Sequence, residues 1–206
     1  MANVEQFASD HGLDARQARL WAALHEVTHH SVFALPWTRE HFLMLAHQFA
    51  EGLEVDQEAL QRRIDALANP EELQHMMDDP SGLTGIFAGE GAGEVMGRMQ
   101  AFMAVVEGYA DHLVDRAASA LVPQAPQMRE AIGERRSDPT EGEQVLAQML
   151  GLDLEADRYR LGAEFCTQID RRWGSEAVDR LWDGPEMLPT RHDLEDVVGW
   201  AARTLL

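Results

Sequence analysis

Lysine is absent from this 206-residue chain: all 17 basic residues are arginine, and they stand against 36 acidic ones for a formal net charge of −19. A field of that sign repels phosphate backbones and anionic lipid headgroups, so neither nucleic acid nor a membrane surface is an expected partner. The missing lysine itself reads as codon bias and points to no chemistry. The single cysteine, Cys166, rules out an internal disulfide framework and a zinc site built on several thiolates. It reads as a small buried residue on a helix. No stretch approaches the roughly 20 consecutive apolar residues of a membrane span. Residues 1–14 lack the basic start and apolar run of a secretory signal, so the expected compartment is the cytoplasm. Period-two runs of β-branched residues are also missing, and strands are not expected.

What is present is helical periodicity, with 45% hydrophobic residues, enough for a substantial core. Asp14 can cap a first long helix with Leu20, Trp21, Leu24, Val27, Thr28 and Val32 on its apolar side, and Pro36 ends or kinks it. A second helix over 38–51 carries Phe42, Leu45, Ala46 and Phe49. A third, capped by Asp56, runs through Leu60, Ile64 and Leu67. Asn69-Pro70-Glu71-Glu72 is a further start signal. The glycine-rich stretch 81–97 lacks the G-x-x-x-x-G-K-[ST] pattern and follows no strand, so it reads as a loop and not as a phosphate cradle. A long helix follows over 94–121, with Met96, Met99, Phe102, Met103, Val106, Ala110, Leu113 and Val114 apolar. Further helices are expected near 125–136, 140–150, 154–173, 175–182 and 190–206. With no repeat and no low-complexity linker, the expectation is an all-α fold in a single domain over 1–206.

One motif carries chemistry. His25-Glu26-Val27-Thr28-His29 is an H-E-x-x-H sequence inside a helical run over 22–33. Residues four apart share a helix face. Two imidazoles so spaced can hold one Zn2+ at about 2.0–2.1 Å, and the glutamate can take a proton from water. The alternative is a helix that merely happens to carry these residues, but its neighbours are apolar and buried imidazoles need partners. A catalytic zinc takes three protein ligands and keeps an open position. The continuation H-E-x-x-H-x-x-G-x-x-H is excluded, because position 32 is valine and position 35 is leucine. The best source of a third ligand is Val105-Val106-Glu107-Gly108-Tyr109-Ala110-Asp111. Glu107 sits on an otherwise apolar face, where an unpaired charge is costly, and Gly108 would permit close approach of the first helix. Pairing of Glu107 with Arg116 or Arg98 is the competing reading.

Trp21-Ala-Ala-Leu-His-Glu-Val-Thr-His, with Pro36-Trp37-x-Arg39-Glu40-His41, resembles the predicted zinc-dependent metalloproteases of the zincin-like, deazaflavin-biosynthesis-associated family. Three further blocks resemble the same family: Val106-Glu107-Gly108-Tyr109-Ala110, Arg135-Arg136 with Leu150-Gly151-Leu152-Asp153, and Leu181-Trp182-x-x-Pro185-x-x-Leu188-Pro189. The likeness runs from about Val4 to the C-terminus. It implies a helical zincin-like core, His25 and His29 as ligands, Glu26 as general base, and Glu107 as the third ligand. Family members carry a longer portion before the motif helix, where this chain has 24 residues, and no strand is readable that would hold a peptide by strand addition.

The reaction so implied is hydrolysis of a peptide or small amide by a zinc-activated water, with Glu26 as base. Tyr109, His112, Tyr159 and His192 are candidates for stabilising the oxyanion. Asp111 is placed to orient a ligand histidine from behind or to form a helix salt bridge. Arg135-Arg136 suits a substrate carboxylate or plain solvation. Two other classes remain. A zincin-like fold can hold zinc as an interaction protein without turnover. Glu26-x-x-His29 and Glu72-x-x-His75 are two E-x-x-H pairs, and a di-iron helical bundle uses two such pairs plus two more glutamates on facing helices.

Overall fold

The computed structural model describes residues 2–52, 92–138, 140, 142 and 156–205, and every regular element among them is a helix. The fold is all-α. Helix α1 is Ala2–Asp10, α2 is Ala15–Phe33, α3 is Pro36–Gly52, α4 is Ala92–Leu121 and α5 is Ala125–Ser137. After these come α6 (Ala156–Trp173), α7 (Ser175–Asp179), two 3-10 turns (Arg180–Trp182 and Pro185–Met187), α8 (Arg191–Glu195) and α9 (Val197–Thr204). The helices expected through Leu60 to Leu67 and after Asn69, nearly all of the one over 140–150, and the loop over 81–91 lie outside the described residues.

Two compact units divide the chain: Met1–Phe42, Gln100–Asp138 and Glu155–Leu206 form the first, Leu43–Met99 and Pro139–Leu154 the second. In the second, the described parts of α3 and α4 bury Leu45 and Met96, and Arg98 donates to Gln48 Oε1 at 3.4 Å. The rest of this section concerns the first.

Asp14 caps α2, its carboxylate accepting from the Gln17 backbone N–H at 2.9 Å. The same corner is tied to the turn between α4 and α5. The Asp14 N–H donates to Gln124 Oε1 at 2.8 Å, and the Gln124 N–H donates to Gln17 Oε1 at 2.9 Å. Helix α1 was not legible in advance. It forms because Ala8 is fully buried with Ala18 and Met128, while Val4 and Phe7 pack around them, and such packing can stabilise a short helix that propensity alone would not. Pro36 does not merely end α2; it opens α3, where its missing N–H costs nothing. The buried Thr38 hydroxyl sits 2.7 Å from the Val32 carbonyl and 2.9 Å from that of Leu35, closing the turn. Towards the C-terminus, the single helix expected over 190–206 is two. Asp196 interrupts it and caps α9 by accepting from the Gly199 N–H. Thr190 and Asp193 form a reciprocal capping box on α8. Burial works against the Asp193 carboxylate, but hydrogen bonds from Thr190 and Arg203 hold its pKa below the usual range.

Helix α4 is the centre of the unit. From Ala101 to Ala110 every side chain is buried except Met103 and Glu107, which are half-buried, the pattern of a helix covered on all sides. It starts at Ala92, two residues before the expected 94, so Gly93 belongs to the helix and not to the glycine-rich loop. Where α4 meets α6, small residues let the backbones touch. A Cβ on Gly108 would overlap the backbone of Gly162, and one on Gly162 would overlap the Ala104 carbonyl. Gly108 therefore serves the approach of α6, and not that of the motif helix as its position beside Glu107 had suggested.

The crossing gives a direct test. Gly108→Ala should lower stability by at least about 2 kcal/mol in chemical denaturation, because two backbones must separate. Gly97→Ala, where a Cβ meets nothing within 4 Å, should be neutral or stabilising by up to about 1 kcal/mol. Equal effects at the two positions would mean that the crossing is not tight.

Candidate metal centre

Helix α2 turns His25, Thr28 and Val32 inward and leaves Glu26 and Val27 exposed. The Thr28 hydroxyl is spent on the Leu24 carbonyl at 3.0 Å. The two histidine side chains face α4 and meet Glu107. Glu107 Oε1 lies 3.3 Å from His29 Nε2, and its Oε2 lies 3.7 Å from His25 Nε2. One ligand atom from each of these three residues can be chosen such that all lie within 4.8 Å of one another. His29 Nε2 is buried and makes no well-aligned hydrogen bond, which leaves a lone pair or a proton unsatisfied. An orphaned imidazole nitrogen beside a second imidazole and a carboxylate fits a divalent cation, and a nitrogen-rich set of this kind suits zinc.

Asp111 joins the same cluster. Its Oδ1 is 3.2 Å from His25 Nε2, the nitrogen that also faces Glu107. An orienting role from behind would have put Asp111 at the other ring nitrogen. Residues 107 and 111 are one turn apart, so both carboxylates reach the same edge of the imidazole. The two histidine rings meet edge to face at 4.5 Å, and Trp21 stacks on His25 with centroids 4.9 Å apart and planes 20° from parallel.

The remaining candidates go elsewhere. Tyr109 is two residues beyond Glu107, about 200° round the helix. Its hydroxyl donates to Asp179 Oδ1 at 2.9 Å and its ring packs edge-on against Trp182. Burial, reinforced by the Asp179 carboxylate, pushes the phenol pKa well above its ordinary value. His112 is buried against α6, with Nε2 3.4 Å from Asp170 Oδ2, and Arg116 reaches the same carboxylate at 3.6 Å. The structure does not bring either residue into the His25–His29–Glu107 cluster. His192 is exposed on α8, and Tyr159 belongs to α6. Arg135 is exposed and donates to the Asp138 carbonyl, and Arg136 follows it on α5. Cys166 is fully buried, and burial raises its thiol pKa. Glu72 and His75, the second pair of the di-iron alternative, lie outside the described residues.

The model of the zincin-like metallopeptidase family matches residues 1–201. This chain belongs to that family. A metal-dependent hydrolytic family thus stands behind the cluster that α2 and α4 assemble. The chain is also similar to a solved structure from Chloroflexus aurantiacus, described as a candidate hydrolase with a novel fold, at 26% identity and a TM-score of 0.69. That likeness covers 98% of this chain and 56% of the other, so the zincin-like chain spans little more than half of that neighbour. No curated protein matches it. Among the described residues, no helix is long and apolar enough to cross a membrane.

The titration of His112 predicts a pH dependence. Burial lowers its pKa from the ordinary 6.5, against the opposing pull of Asp170. The unfolded chain therefore binds this proton more readily than the folded one. Stability should be unaffected well above pH 6.5 and should fall as the pH drops through that value towards the folded pKa. Urea unfolding of metal-free protein at pH 7.5 and 5.5 should show a smaller acid loss for His112→Gln than for the wild type. An equal loss would place the acid sensitivity elsewhere.

Proposed function

We propose that this zincin-like chain is a zinc-dependent hydrolase of peptides or small amides. His25, His29 and Glu107 would hold the metal, and Glu26 would be the general base. The observation that supports this best is the convergence of two imidazole nitrogens and one carboxylate, the His29 nitrogen otherwise unsatisfied, in a member of a metallopeptidase family. When bound, zinc would polarise the scissile carbonyl and acidify a water. Glu26 is exposed on α2, adjacent in sequence to His25. A carboxylate there can accept the proton of the attacking water and return it to the departing amine. Glu107 would contribute negative charge that favours a dication, and Asp111 adds a second carboxylate within reach of His25.

Elemental analysis of purified protein should find one zinc per chain, and two irons would instead favour the di-iron arrangement. Glu107→Ala should weaken zinc binding by at least about a hundredfold. Glu26→Gln should keep the metal while lowering turnover of a cleaved peptide or amide by about a hundred- to ten-thousandfold. Undiminished turnover in Glu26→Gln would remove Glu26 as base. A zinc-loaded wild type that cleaves nothing in a broad peptide and amide library would point to an interaction protein.

A further inference from the structure

We propose that Trp21 is a positioning residue for the metal site: its indole, lodged between two apolar clusters, fixes the plane of the His25 imidazole. The inference rests on His25 being a ligand, as argued above, and adds a residue outside the donor set.

The backbone of α2 sets where the His25 Cα lies but not how its ring is turned, because the outer torsion of a histidine is broad. At His25, the Asp111 carboxylate at 3.2 Å and the Glu107 carboxylate at 3.7 Å both gather at one edge of the ring, at Nε2. What lies against its face is Trp21, one turn earlier on the same helix, stacked at 4.9 Å and 20°. Trp21 is itself held. It packs against Val114, Val122 and Ala125, and also against Ala8, Ala18 and Met128. Besides Ala18 of α2 itself, those residues come from α1, α4, α5 and the turn before α5, so several elements converge on one indole. A ring stacked on so fixed a surface keeps Nε2 aimed at Glu107.

The stack also favours the loaded state over the empty one. An imidazole that binds a dication becomes more positive, and the electron-rich face of an indole attracts positive charge. Trp21 should therefore raise metal affinity as well as steady the ring.

The test is a zinc titration of metal-stripped wild type, Trp21→Phe and Trp21→Leu, by competition with a chromophoric chelator, with tryptophan emission followed in parallel. Leucine keeps apolar bulk but offers no ring, and zinc affinity should fall roughly ten- to a hundredfold, the range for residues that support a ligand. Phenylalanine keeps a stacking face and should restore affinity to within about threefold of wild type. Zinc should change the emission of the wild type, and that change should vanish in Trp21→Phe although zinc still binds. Far-UV circular dichroism checks that the leucine variant is folded; if it is not, the emission of Trp21→Phe decides. A folded Trp21→Leu that binds zinc as tightly as wild type overturns the proposal, as does an emission change that persists in Trp21→Phe. Failure of the ligand set itself looks different, since the wild type would then take up no zinc and His29→Ala would change nothing.

Discussion

The backbone contact between α4 and α6 is the constraint on which the site depends. At Gly108 and Gly162 there is no room for a side chain between the two helices, Gly162 lying against the Ala104 carbonyl. A helix that touches its neighbour through main-chain atoms cannot turn about its own axis without losing the contact. Each residue advances about 100° round the helix, so a turn of that size would carry Glu107 away from the histidines and bring a neighbour in its place. With α4 fixed, Glu107 and Asp111 point to α2, while Tyr109 and His112 meet Asp179 and Asp170 in other directions. The glycine beside the glutamate is thus linked to the candidate metal site through a helix that is not part of it.

Electrostatics sets the second condition. Two carboxylates one turn apart repel, and partial burial strengthens the repulsion by thinning the water between them. Glu107 and Asp111 have side chains only 17% and 18% exposed, so their charge needs compensation at close range. The two imidazoles stand at that range, where a shared cation would supply it. Elsewhere on α4 the acidic groups are matched differently. Burial raises the Asp115 pKa, and Arg129 pairs with that carboxylate and opposes the rise. The face towards α2 thus combines two acids and two histidines, of which His25, His29 and Glu107 can each offer an atom to one cation.

Much of this was legible in the sequence because it depends on local spacing. H-E-x-x-H sets two imidazoles on one face of any helix, and Asp14 announces the start of that helix. Glu107 could be singled out because a charge among Val105, Val106 and Ala110 needs a partner. The direction in which Gly108 opens was not legible, since a glycine says that something comes close and not what. The contact of Asp111 was legible only in part for the same kind of reason: spacing gives the shared face, while the nitrogen it meets depends on the ring orientation of His25. Helix α1 and the break at Asp196 depend on tertiary packing and a side-chain cap that periodicity alone does not specify.

The ring orientation of His25 is where the local and the distant parts of the fold meet. A metal site on a lone helix would have the right Cα spacing and rotating imidazoles, and the entropy of ordering them would be subtracted from every bond they made. Here the ordering is done on folding. Helix α1 and α5 close over Trp21, Trp21 lies on His25, and His25 meets His29 edge-on. The cost of fixing the rings is carried by apolar burial that the chain gains anyway, before any cation arrives. By this argument the five residues of the motif specify which atoms can serve as ligands, and the packing behind them determines how tightly those atoms can bind.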